Sequence, residues 1–335
     1  MESIRKIRLF MALALLLLSL SAHSLTIKMG CMAPSGSPWG RALHELAASW
    51  HRITDGQVSL KLYLGGIAGD ESDMIRKIRI GQLQGAAVTS IGLNDITPDV
   101  LTLNIPFLIR NDREFSYVLD KAGPSLESSI EEKGFKVLAW SFTGWVQLFS
   151  RNPVVYPRDL RGQKLGIPSK DAAVINGWRA MGFDAFTLSM ADLMVGLQSG
   201  MVDAYYSPPL VAAAFQWFSV GNHMSLLKIL PVYGGIIIDA RAWDRIPEKY
   251  KPALEETVLQ AERSFSTETN SLEEKAFEVM KRHGLKVHPV PEDAEKEWRE
   301  LMESASQSVI GSTISREFYE EVKGYLSDFR AGKSR

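Results

Sequence analysis

One unit of sequence occurs twice, and it restricts the fold more than any other feature. In the first copy, "IRIGQLQGAAVTS", a helix end runs into Gly81 and an apolar stretch follows, Gly85–Ser90. In the second, "LQSGMVDAYYS", the helix end runs into Gly200 and the stretch is Val202–Ser207. A glycine just past the last periodic residue stops a helix. A short apolar run behind it suits a buried strand. Strands and helices alternate ahead of each copy. "LTIKMGCM" and "VSLKLYL" alternate as strands, and "PSGSPWGRALHELAASWHRI" carries Leu43, Leu46, Ala47 and Trp50 at helical spacing. Ser37 is a natural cap for that helix and Pro38 a natural first residue. Later, "FKVLAW", "QKLGIP" and "AFTLS" read as strands, with "KDAAVINGWRAMG" and "MADLMVGLQSG" as helices. Two β–α–β–α–β series predict an α/β fold of mostly parallel sheets with covering helices.

Such sheets bind ligands at the carboxyl ends of their strands. Those ends are Thr89 and Ser90 in one half and Tyr206 and Ser207 in the other. A chain of 335 residues suits two domains, and two facing halves leave a ligand cleft between them. Pro247–Leu285 has no glycine before Gly284 and no proline after Pro252. Leu254, Val258, Ala261, Phe265, Leu272, Ala276 and Met280 make one apolar stripe along it. A single helix of about 30 residues spans roughly 45 Å, enough to cross both domains. The other reading is two helices broken near Thr267–Ser271.

A net charge of −1 with 23% charged residues gives no footprint for nucleic acid. No phosphate-cradling loop, HExxH or Cys/His cluster is present, so neither cofactor nor metal is expected. Arg5, Lys6 and Arg8 precede the 14-residue apolar run Leu9–Ala22, and "AHS" offers a cleavage site. The expectation is a signal peptide over 1–24 and a periplasmic mature chain from Leu25; an uncleaved anchor is the alternative. The run is short for a bilayer span. Cys31 is the one cysteine, so no internal disulfide forms. Lys28 and Met29 separate it from the apolar run, which argues against lipidation, and it reads as a small buried residue of the first strand. An enzyme would need a base for Ser90 or Ser207, and no motif links any of the six histidines to them. His44 and His51 stand seven apart, not at the i, i+4 spacing of a metal pair.

A glycine, Gly166, interrupts the strand "QKLGIP", and strand glycines mark bulges or close approaches. The surrounding "NPVVYPRDLRGQKLGIP", with Pro157, Asp159, Leu160, Gly162 and Pro168, resembles the signature of DctP-type solute-binding subunits of TRAP transporters. "IRKIRIGQLQGAAV", "MADLMVGLQSGMVDAYYSP" and "RAWDRIPEKYKPAL" resemble that family's other segments, in order and over nearly the whole mature chain. The resemblance implies a hinged two-domain binding protein that closes on a ligand and delivers it to TRAP permease subunits. It implies an organic acid, clamped by an arginine in the strand before the proline and by an asparagine before another proline. Here the arginine position falls on Gly166, the asparagine on Ser207, and a second arginine position near Val146. Lys164 shares Gly166's face but sits two residues further from the strand end; Arg151 is also near in sequence.

A carboxylate buried without its partner keeps a desolvation cost of several kcal/mol. The expected ligand is therefore hydrophobic or weakly polar. Its expected contacts are Trp39, Thr89, Ser90, Trp145, Gln147, Phe149, Gly166, Pro168, Tyr205, Tyr206 and Ser207, with open space at Gly166 where the arginine would stand. Ordinary core is the competing reading for Trp140, Phe142, Phe215, Trp217, Phe218 and the other aromatics. The expected division is 25–148 plus about 237–276 for domain I, and 149–236 plus about 277–335 for domain II. The lost arginine also fits a subgroup that works with a periplasmic tetratricopeptide-repeat protein. A carrier of lipid-like molecules acting with a repeat protein, and an organic-acid binder with a non-standard clamp, remain as alternatives.

Overall fold

Burial alternates along Leu25–Cys31 and then becomes continuous, as in a strand that runs from a sheet edge into a core. The computed structural model describes residues 24–167 and 172–333. The expected leader up to His23, and Pro168, lie outside the described residues. After β1 (Leu25–Cys31) come α1 (Pro38–Ile53), β2 (Val58–Tyr63), α2 (Glu71–Arg79), β3 (Gly85–Thr89) and α3 (Ser90–Asn94). Ser37 caps α1, its hydroxyl accepting from the Gly40 amide at 3.1 Å. A 3-10 segment (Pro98–Asn104) leads to α4 (Asp112–Glu131), β4 (Phe135–Trp145) and β5 (Gln147–Ser150). Then follow α5 (Pro157–Leu160), β6 (Lys164–Ile167), α6 (Ala172–Ala180), β7 (Asp184–Thr187), α7 (Leu193–Ser199), β8 (Ala204–Ser207), α8 (Pro209–Ala214) and β9 (His223–Ser225). The chain ends with β10 (Pro231–Asp239), α9 (Ala240–Asp244), α10 (Lys251–Arg282), β11 (Lys286–His288), α11 (Glu292–Ser306) and α12 (Arg316–Arg330).

Two sheets form, ordered β2-β1-β3-β10-β4 and β11-β9-β5-β8-β6-β7. They are more mixed than expected. β10 runs antiparallel to β3 and β4, and β5 runs antiparallel to β8 and β9. The cause is the crossing between domains: β4 runs on into β5, and the chain returns from β9 into β10, so each sheet receives one reversed strand. The two crossings are bonded to each other. Val146 donates to the Leu230 carbonyl at 2.9 Å, and Ile229 donates to that of Val146 at 3.1 Å.

The 32-residue α10 is unbroken, so the two-helix alternative fails. At about 1.5 Å per residue it is roughly 48 Å long. Leu254 and Val258 enter the core formed with α1 and β1, while Met280 enters the core of Phe149 and Tyr205 in the second domain. The division expected for 277–335 needs correction at its end. α11 buries Trp298 against Phe183 in the second domain. In α12, however, Phe318, Val322 and Leu326 join the first-domain core with Phe115 and Val118 of α4. Arg330 fixes that docking by donating to both Glu114 oxygens, at 2.9 and 2.8 Å. Among the described residues the chain thus passes between domains four times: β4–β5, β9–β10, along α10, and between α11 and α12.

Candidate functional site

The ends of β3 and β8 face each other across the space between the sheets. Thr89, the last residue of β3, caps α3 by accepting from the Ile91 amide at 3.2 Å. Glu71, at the start of α2, reaches into the same turn. Its carboxylate accepts from the Thr89 amide at 3.0 and 3.1 Å, the Thr89 hydroxyl at 2.8 Å and the Gly92 amide at 2.9 Å. Gly92 permits this approach, because a β-carbon there would lie 2.9 Å from that of Glu71. Burial pushes the Glu71 carboxyl above its ordinary range, and the Thr89 and Gly92 donors offset only part of the shift.

Two cavities meet at Thr89, which lines both. The smaller, of about 110 Å³, lies between Trp39 and Phe265, whose rings are 4.5 Å apart, and Met32, Met190 and Phe215. The larger, of about 500 Å³, opens on the other side of Thr89. Its first wall is α3 and the 3-10 segment, with Ser90, Asn94 and Asn104. Opposite stand Gly177 and Trp178 of α6, Met181 just past its end, Tyr206 of β8, and Met302 of α11. Trp178 stacks on Tyr206 at 5.6 Å and 17°. Among the described residues, no lysine, arginine or histidine lines either cavity; the charged groups are Glu71 in the smaller and Asp95 in the larger.

Of the expected contacts, Trp39, Thr89, Ser90 and Tyr206 line these cavities. Tyr205 does not, since adjacent strand residues face opposite ways. It stacks on Phe149 at 5.1 Å and 5° inside the second-domain core. Trp145 is core as well, its indole donating to Asp112 at 2.6 Å. Gln147 and Ser207 are buried opposite each other in the β5–β8 pair and line neither cavity. Gly166 is not the open space expected. A β-carbon there would meet Leu193 at 3.3 Å and Val202 at 3.4 Å, because α7 packs over this face of β6. Lys164 and Arg151 brace α7 by donating to the Gly200 and Leu197 carbonyls. Sequence reasoning missed Glu71, which reads as one more acid at a helix start, and Phe265 and Trp178, which read as helix core. Among the described residues no histidine bonds to Ser90 or Ser207; His44 meets Ser35, His51 meets Ser59, and His223 meets His288 at 2.8 Å.

Two mixed sheets, four chain crossings and ligand-sized spaces between the domains define a two-domain binding fold. The chain belongs to the DctP family, the bacterial extracellular solute-binding proteins of family 7, whose model matches residues 29–312. It is 27% identical over 236 residues to the 2,3-diketo-L-gulonate-binding periplasmic protein of Escherichia coli, covering 70% of this chain and 72% of that one. It is 21% identical over 284 residues to the C4-dicarboxylate-binding periplasmic protein of Rhodobacter capsulatus, covering 84% and 85%. The fold matches a TRAP periplasmic solute-binding protein from Desulfovibrio salexigens with bound orotic acid, at a TM-score of 0.83 and 22% identity over 92% and 99% of the two chains. It also matches the galactonate-bound sugar acid binding protein of Advenella mimigardefordensis, at 0.85 and 19% over 91% and 98%. The protein is thus an extracellular solute-binding protein of that family. Among the described residues no helix is long and apolar enough to cross a membrane.

Proposed function

We propose that this chain captures a small uncharged solute, largely apolar, between its domains and delivers it to a TRAP permease from the periplasm. The observation that carries the reading is the charge of the lining: both cavities have a carboxylate and, among the described residues, no cation. A carboxylate ligand would lose its hydration without gaining a cationic partner, at several kcal/mol. An apolar body has no such cost. Burying about 250 Å² of it contributes on the order of 6 kcal/mol, partly offset by lost motion on binding. Trp39, Thr89, Ser90 and Tyr206 are the proposed contacts.

The second reading is an organic acid held by a non-standard clamp. It is supported by the related proteins, which are named for or bound to acids. Mass spectrometry of whatever is extracted from the purified protein separates the two. A neutral, poorly water-soluble compound in near-stoichiometric amount is expected. A dicarboxylate or sugar acid in that amount overturns the uncharged reading. A tetratricopeptide-repeat partner, with or without a lipid-like cargo, rests on the resemblance alone. Affinity capture from periplasm that recovers permease and never a repeat protein removes it.

A further inference from the structure

We propose that the Tyr206 and Ser90 hydroxyls, free on the lining of the larger cavity, select a neutral solute that presents a carbonyl oxygen on an apolar body. This rests on the uncharged reading above and adds to it a place and a chemical class. Size favours the larger cavity, whose volume of about 500 Å³ falls within the usual range of small-molecule sites. The smaller one, about 110 Å³, suits only a few non-hydrogen atoms.

The side-chain oxygens of Asn94 and Asn104 are sealed inside the first-domain wall and meet no ligand. The Thr89 hydroxyl is taken up by Glu71. Tyr206 and Ser90 differ from these. Both line the chamber, their hydroxyls make no hydrogen bond among the described residues, and neither oxygen is sealed from solvent. Tyr206 is partly exposed, and Ser90 keeps 5% of its surface. They stand at facing strand ends, Tyr206 in β8 of the second domain and Ser90 directly after β3 of the first. The stack on Trp178 fixes the plane of the Tyr206 ring. Burial pushes its phenol up, so it keeps the proton it donates. Trp178, Met181, Met302 and Ile314 make the surrounding lining apolar. A hydrocarbon sealed against these hydroxyls leaves both donors unmet. A carbonyl oxygen has two lone pairs and brings no donor of its own. Each bond it accepts is worth about fivefold in affinity, and a solute that meets both hydroxyls ties one domain to the other. A carboxylate accepts the same bonds, but no cation on the described lining offsets its lost hydration.

The test uses probes of one shape and different oxygen content. Equilibrium dialysis of the full chain would compare 2-acetylnaphthalene, 2-ethylnaphthalene and 2-naphthoate. The ketone should bind about twentyfold tighter than the hydrocarbon. Tyr206→Phe and Ser90→Ala should each cut that ratio about fivefold. Tyr206→Phe decides, because it keeps the ring and its stack on Trp178 and removes only the hydroxyl. It should melt no lower than wild type, since no internal bond is lost; a lower melting point would make the hydroxyl structural and overturn its role. Gly177 checks the place. It lines the chamber, and a β-carbon added there meets nothing within 4 Å. Gly177→Leu should therefore fill the chamber without displacing a neighbour and weaken the ketone at least tenfold. A ratio near one, a ratio unchanged in Tyr206→Phe, or no binding of any probe up to its solubility overturns the proposal. If Ala214→Trp, at the smaller cavity, abolishes binding and Gly177→Leu does not, the chamber is wrong and the uncharged reading stands. Tighter binding of naphthoate than of the ketone overturns the uncharged reading itself.

Discussion

Gly166 illustrates what a single position can and cannot say. From sequence its strand was visible, because that depends on local pattern; the arginine expected in its place rests on the resemblance alone. The direction of its face was not visible: the place of the expected open cleft is taken by the packing of α7, which depends on Leu193 and Val202 some 30 residues away. Restoring an arginine there would drive a guanidinium between two apolar side chains. We expect Gly166→Arg to lower stability by about 3 kcal/mol and to gain no affinity for succinate in calorimetry. A variant that folds as stably as wild type and binds succinate would return this position to the cleft. Tyr205 and Tyr206 carry the same lesson. Alternation says that only one of them can face the cleft, and the fold decides which.

At the scale of elements, strands and helices were legible wherever period and caps agreed, as in α1 with Ser37 and Pro38. The continuity of α10 was legible as a stripe. The direction of β10 and β5 was not, since antiparallel insertion follows from where the chain crosses, not from local composition. Nor was the docking of α12, whose stripe fits either domain. Its anchor is testable. Burial alone would raise the Glu114 carboxyl, but the bonds from Arg330 and the Arg110 amide together hold it below its ordinary value of 4.5. A depressed carboxyl contributes stability above that ordinary value and loses it as pH falls through the lowered one. Arg330 is about a third exposed, so screening limits the pair. We expect Arg330→Ala to cost about 1–2 kcal/mol at pH 7. The difference from wild type in urea melts should shrink steadily below pH 4.5. A difference that persists undiminished at pH 2 would show that the arginine acts by packing and not by its charge.

For the whole molecule, two domains with a cleft were legible because the repeated helix–glycine–strand unit requires two sheets. The two cavities were not, since their walls gather α3, α6, α8, α10 and α11 from across the chain. The interleaving of the domains has a consequence for synthesis. The first sheet needs β10 between β3 and β4, so it stays incomplete until residue 239 has been made, and its helical cover is unfinished until α12 is. A chain truncated after residue 230 should show no protease-resistant core in pulse proteolysis, although it contains four of the first sheet's five strands. A stable fragment of that length would mean that β1–β4 close on themselves. If closure is as late as the strand order requires, the first domain's segments stay unpaired while the chain is made, the condition in which a polypeptide can still be threaded through a membrane.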